Sequence, residues 1–145
     1  MTDLKKSILI TDDDEEIRQV IVTLLDDEQY QVLEATNGQE CVDMAKAMTP
    51  DLILLDMFMP VMDGRAALEK LKSDSQTSAI PVIILTTLDN LESRVECLTM
   101  GAMDYINKPF NPHEFLARME TNLKASDVLK LKAALEFAGA AAHHI

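Results

Sequence analysis

Apolar residues in this chain fall into two patterns: short unbroken runs, and longer stretches with a helical period. Ile8-Leu9-Ile10, Leu52-Ile53-Leu54-Leu55, Val82-Ile83-Ile84-Leu85 and Tyr105-Ile106 form the runs, with a weaker one over 31–35. Unbroken runs of this length read as strands buried on both faces. Between the first two, Ile17, Val20, Ile21, Leu24 and Leu25 recur at helical spacing, and later Val42, Ala45 and Met48 do so. Helices are predicted over about 14–28, from 38 to a stop near Pro50, over 66–72, over 91–100, and from 112 onward. Asn37-Gly38, Asp63-Gly64 and Gly101 punctuate the chain between them. Asn111-Pro112-His113-Glu114 opens the last helix, with Asn as N-cap and Pro at the first helical position. Regular alternation of strand and helix predicts an α/β fold: a doubly wound five-stranded parallel sheet with right-handed crossovers and helices on both faces.

The residues that end the runs then become informative. The first leads into Thr11-Asp12-Asp13-Asp14, the second ends at Asp56, the third at Thr86-Thr87 and the last at Asn107-Lys108-Pro109. In a doubly wound sheet the carboxyl ends of the strands share one crevice, so acids, hydroxyls and a lysine converge there. Two carboxylates about 4 Å apart repel by roughly 4 kcal/mol at an effective dielectric of 20. A divalent cation relieves this, and an all-oxygen donor set favours Mg²⁺. Such a cation also suits phosphoryl transfer. The Lys108 ammonium and the Thr86 hydroxyl supply a charge and a donor for a phosphoryl group.

Composition narrows the partners. The chain has 145 residues and a net charge of −12, which argues against a nucleic-acid surface. No apolar stretch reaches the roughly 20 residues of a membrane span. The N-terminus lacks the apolar core of a signal peptide, and Cys41 and Cys97 have no metal-ligand spacing. These features predict a cytoplasmic protein with reduced thiols.

At this point the chain resembles the receiver domain of two-component response regulators. The resemblance rests on Ile8–Asp13, Leu54–Gly64, Pro81–Thr86 and Gly101–Phe110, and covers about residues 5–125. It implies a flavodoxin-like strand order of 2-1-3-4-5. It also implies that Asp56 accepts a phosphoryl group from the phosphohistidine of a histidine kinase or histidine phosphotransfer protein. Asp12 and Asp13 match the acidic pair that holds Mg²⁺ with Asp56, and the backbone carbonyl of Phe58 matches a further ligand. Thr86, Thr87 and Lys108 fall at the family's phosphoryl-binding positions, and Thr86 and Tyr105 at its switch positions. In the family's switch the aromatic rotates into space that the threonine vacates. Such a domain signals rather than turning over substrate, while assisting its own phosphorylation and slow dephosphorylation. Three positions depart from the family's pattern. Thr87 stands where Ala, Gly or Ser is usual, and Phe58 and Leu88 are apolar where polar side chains are common. A runner-up is a haloacid-dehalogenase-like phosphohydrolase with Asp12 as nucleophile; Glu16 departs from its opening pattern.

A receiver-type last helix should end near 123–126. Here helix-forming sequence continues, so residues 1–125 read as the receiver domain and 126–145 as a helical extension. Val128, Leu131, Leu135, Ala138, Ala142 and Ile145 alternate at spacings of three and four, as a coiled-coil seam does. Homodimerisation is therefore expected through this helix, or through the face of the fourth helix, fifth strand and last helix. Phe137–Ile145 also resembles the opening of a histidine-kinase phosphoacceptor box, with His143 at the reactive position and His144 where an acid is usual. That would make the chain the front part of a longer histidine kinase. The chain carries no ATP-binding segment of its own.

Overall fold

The computed structural model describes residues 5–25, 29–87 and 90–143. Five strands and five helices alternate: β1 (Lys6–Thr11), α1 (Glu15–Leu24), β2 (Tyr30–Ala35), α2 (Gly38–Met48), β3 (Leu52–Leu55), α3 (Gly64–Ser73), β4 (Val82–Thr86), α4 (Leu91–Thr99), β5 (Asp104–Asn107) and α5 (Pro112–His143). The strands form one parallel sheet in the order β2-β1-β3-β4-β5. The doubly wound reading and its strand order are both borne out.

Period-two alternation divides each strand between two cores. Leu9, Ile53, Leu55, Val82 and Ile84 face α2, α3 and α4, where they meet Val42, Ala45, Leu68, Leu71 and Cys97. Ile8, Ile10, Leu52, Leu54, Ile83 and Leu85 face α1 and α5, against Ile21, Phe115, Met119 and Leu123. The central strands look apolar throughout because both faces are covered.

Each helix begins on an Asp or Asn whose side chain accepts backbone N–H groups of the first turn: Asp14, Asn37, Asp63, Asn90 and Asn111. Such a cap contributes about 1 kcal/mol and fixes where the helix starts. α1 ends earlier than its apolar period suggests: Leu25 turns to extended backbone and buries its side chain in the core. The rest of the predicted stretch, 26–28, lies outside the described residues. α5 runs unbroken for 32 residues, roughly 48 Å. Its buried stripe is Phe115, Met119, Asn122, Leu123 and Ser126.

Candidate functional site

Hydrogen bonds between strand ends set the depth of every residue in the crevice. Asp12 N–H donates to the Ala35 carbonyl (3.2 Å), Asp56 N–H to the Thr11 carbonyl (3.0 Å) and Lys108 N–H to the Thr86 carbonyl (2.8 Å). Gly64 lets α3 pack directly on this rim. A Cβ there would meet the Asp56 carbonyl oxygen at 2.1 Å, which no side chain allows. Gly38 makes the same kind of approach to the Met62 carbonyl oxygen, where a Cβ would lie at 2.4 Å.

The predicted acids meet. Carboxylate oxygens of Asp12, Asp13 and Asp56 lie within 4.8 Å of one another. Asp12 and Asp56 are buried and Asp13 is exposed. Lys108 Nζ is 2.5 Å from Asp12 Oδ2 and 3.7 Å from Asp56 Oδ2, so one cation faces two carboxylates. Burial pushes the Asp56 carboxyl above the usual range. The Lys108 ammonium draws it down, Asp12 pushes it up, and the Phe58 N–H and Thr86 hydroxyl draw it down again; the net direction is upward. Three oxygen donors, one open to solvent, fit a hard divalent cation such as Mg²⁺.

Thr86 is fully buried beside Asp56, and Thr87 is exposed next to it. The Phe58 side chain is 55% exposed at the rim, while its N–H lies 3.4 Å from Asp56 Oδ1. The Lys108–Pro109 peptide bond is cis. The Tyr105 ring lies inside, only 3% exposed. Arg94 covers it, with its guanidinium carbon 5.3 Å from the ring centroid and Nη2 donating to Asn107 Oδ1 at 2.7 Å. His143 ends α5, far along the chain from the crevice, and Leu88 lies outside the described residues.

Two contributors were not legible in the sequence. Arg18 Nη1 donates to the Asp12 carbonyl at 2.7 Å, and its Nε donates to Glu34 Oε1 at 3.1 Å. It ties the β1–α1 loop to β2. Arg94 is the second. Neither carries a local signal, since each acts on a neighbouring strand rather than on its own helix.

The chain matches the profile of the response regulator receiver domain over residues 8–120. It belongs to that family. Among its relatives, a phosphate regulon transcriptional regulatory protein, PhoB, of Pseudomonas aeruginosa is 38% identical over 134 residues, covering 92% of this chain and 58% of that protein. A protein of Formosa agariphila named histidine kinase P4 is 41% identical over 128 residues, covering 88% of this chain and 9% of that one. The crystal structure of a CheY-like receiver domain protein from Methanospirillum hungatei superposes with a TM-score of 0.79 at 31% identity, covering 86% of this chain and 98% of the other. This chain spans about half the length of the first curated relatives it matches. As a receiver domain it is a two-component signalling domain, a family phosphorylated on aspartate by histidine-kinase partners and using Mg²⁺ at an acidic pocket. Family membership displaces the phosphohydrolase reading. Among the described residues no helix is long and apolar enough to cross a membrane.

Proposed function

We propose that Asp56 is the phosphoacceptor and that Asp12, Asp13, Asp56 and the Phe58 carbonyl hold Mg²⁺. The observation that carries this is the meeting of three carboxylates with Lys108 and Thr86 at the ends of four strands. In the step itself an Asp56 oxygen forms a bond to phosphorus while the phosphorus–nitrogen bond of a phosphohistidine breaks, its electron pair staying on the imidazole. When bound, Mg²⁺ offsets charge on the phosphoryl oxygens and on the attacking carboxylate. Lys108 then pairs with a phosphoryl oxygen, and the Thr86 hydroxyl and the Thr87 backbone side of the crevice enclose the group. Incubation with Mg²⁺ and acetyl phosphate tests this. Label should appear with one group per chain, and vanish in Asp56→Asn or with chelator; undiminished label in Asp56→Asn overturns the assignment.

Output passes through protein contacts at Thr86, Tyr105 and the α4–β5–α5 face, or through a homodimer of the extended α5. The buried, unpaired thiols of Cys41 and Cys97 support a reducing, cytoplasmic setting. Several relatives are named as transcriptional regulators, with half their length beyond the matched stretch. The expectation of no nucleic-acid contact therefore concerns the residues of this acidic chain only.

A second reading is favoured by α5 itself. Residues 126–145 would be a coiled-coil linker leading into a phosphoacceptor box, because the helix reaches His143 without a break. Phosphoramidate should then place alkali-stable label on the chain that His143→Gln removes; phosphoaspartate does not survive alkali. Alkali-stable label unchanged in His143→Gln, or its absence, overturns this reading.

A further inference from the structure

The outward face of α5 changes character where the domain ends. Alongside the domain it carries Glu114, Ala117, Thr121 and Lys124, all exposed, as a solvent face should. The buried stripe on the other side stops at Ser126. Two residues later the same outward face turns apolar: Val128, Leu131 and Leu135 are each more than half exposed, and Ala138 follows. A helix meant for water has no reason to do this. The buried stripe continues in Leu129, Ala133 and Phe137, which are exposed beyond the domain and recur every four residues; the outward seam is a separate surface and keeps the alternation of three and four.

We propose that this seam, Val128–Leu131–Leu135–Ala138, pairs with the same seam of a second copy in a parallel, in-register two-stranded coiled coil. The proposal rests on the reading of this chain as a receiver domain with an α5-mediated dimer, and gives that dimer its residues and direction. Three observations select the occupant. The spacing of three, four and three is the a/d repeat, which is self-complementary between identical helices. Val128 at a with Leu131 at d is the combination that favours two strands in parallel, and Leu135 at a with Ala138 at d carries the seam one heptad further. Charge sets the direction: with Val128 at a, Asp127 is a g position and Lys132 the following e position. Parallel pairing puts Asp127 of each copy opposite Lys132 of the other, a pair formed twice. Antiparallel pairing offers Asp127 and Lys132 no opposite charge at the matching g and e positions, which are Ala134 and Gly139. In the single chain Asp127 Oδ1 instead meets Lys6 Nζ at 2.8 Å, an exposed pair that costs little to exchange. With so few apolar layers the dimer should be weak and concentration-dependent.

Sedimentation equilibrium of the whole chain over about 10 to 300 µM, with acetyl-phosphate labelling of Asp56 followed in parallel, tests this. We expect a monomer–dimer equilibrium that Leu131→Lys with Leu135→Lys abolishes while labelling persists. Asp127→Lys and Lys132→Asp should each weaken it about tenfold, and the two together should restore it. Leu131→Cys should form a disulfide dimer under diamide, and Ala133→Cys on the opposite stripe should not. A chain monomeric throughout overturns the proposal. So does a dimer that survives the leucine changes, or a double charge reversal that fails to restore pairing. Loss of labelling with the dimer intact would instead count against the phosphoacceptor reading and leave the seam supported.

Discussion

Lys108 Nζ and Asp12 Oδ2 lie 2.5 Å apart, so the lysine competes for an oxygen that the proposed Mg²⁺ would take. The lysine is only 10% exposed and the carboxylate 2%, so water screens the pair poorly. Removing the lysine frees Asp12. Lys108→Met should therefore bind Mg²⁺ about tenfold more tightly by calorimetry, the worth of one charge-assisted hydrogen bond of about 1.5 kcal/mol. The same variant should take up label from acetyl phosphate at least tenfold more slowly, because the phosphoryl group loses its cation. Weaker Mg²⁺ binding would contradict the competition.

Asp56 carries the electrostatic cost of the site. Its raised pKa means that the folded state holds this proton more tightly than the unfolded chain does. Stability from that proton is present in acid. It is lost as the pH climbs from the ordinary carboxylate value, 3.8, through the raised one. Asp56→Asn avoids the loss. In chelator at neutral pH it should melt higher, by about 3 °C for a gain near 1 kcal/mol, and the gap should close below the ordinary carboxylate range. Asp13 is exposed, so neutralising it should relieve less. An equal or lower melting temperature for Asp56→Asn at pH 7 would count against burial as the cause.

Arg18 acts through Asp12. By holding the Asp12 carbonyl and Glu34 together it fixes the peptide that presents both acids of the β1–α1 loop. Losing a bond worth about 1 kcal/mol from Arg18→Gln should weaken Mg²⁺ affinity roughly fivefold, with Arg18→Lys intermediate. A variant that melts lower yet binds Mg²⁺ as well as the parent would reduce Arg18 to a structural role.

Val61 sits at φ 68 and is 85% exposed, in a tight turn closed by the Met62 N–H on the Pro60 carbonyl at 2.7 Å. A β-branched residue in this region is strained, at a cost of about 1–3 kcal/mol. Val61→Gly or Val61→Asn should raise the unfolding free energy by about 1 kcal/mol in urea, with Asp56 labelling unchanged.

Phe58 stands at the open side of the crevice and cannot orient a hydrolytic water. Thr87 narrows the same approach. Phosphoaspartate should therefore be long-lived, and Phe58→Asn should speed its decay about tenfold by supplying one positioning hydrogen bond. Decay at the parent's rate after donor removal would show that Phe58 only packs at the rim.

The sequence by itself determined the alternation of elements, because strands buried on both faces must be apolar throughout and helices covered on one side must be periodic. It marked the start of the last helix, where the Asn111 side chain satisfies local N–H groups, while the Asp63 cap starts α3 at Gly64, two residues before the predicted 66. It also marked Asp12, Asp13, Asp56, Thr86 and Lys108, which follow the strands directly, so strand order alone brings them together. What only the tertiary structure decided depends on pairs distant in the chain. Lys108 chooses Asp12 over Asp56, Arg18 reaches a carbonyl and a neighbouring strand, Arg94 covers an inward Tyr105, and Leu25 leaves α1 for the core. These are settled by packing and by the direction of side chains across the sheet. No local propensity encodes them, because the energies involved appear only once both partners are in place.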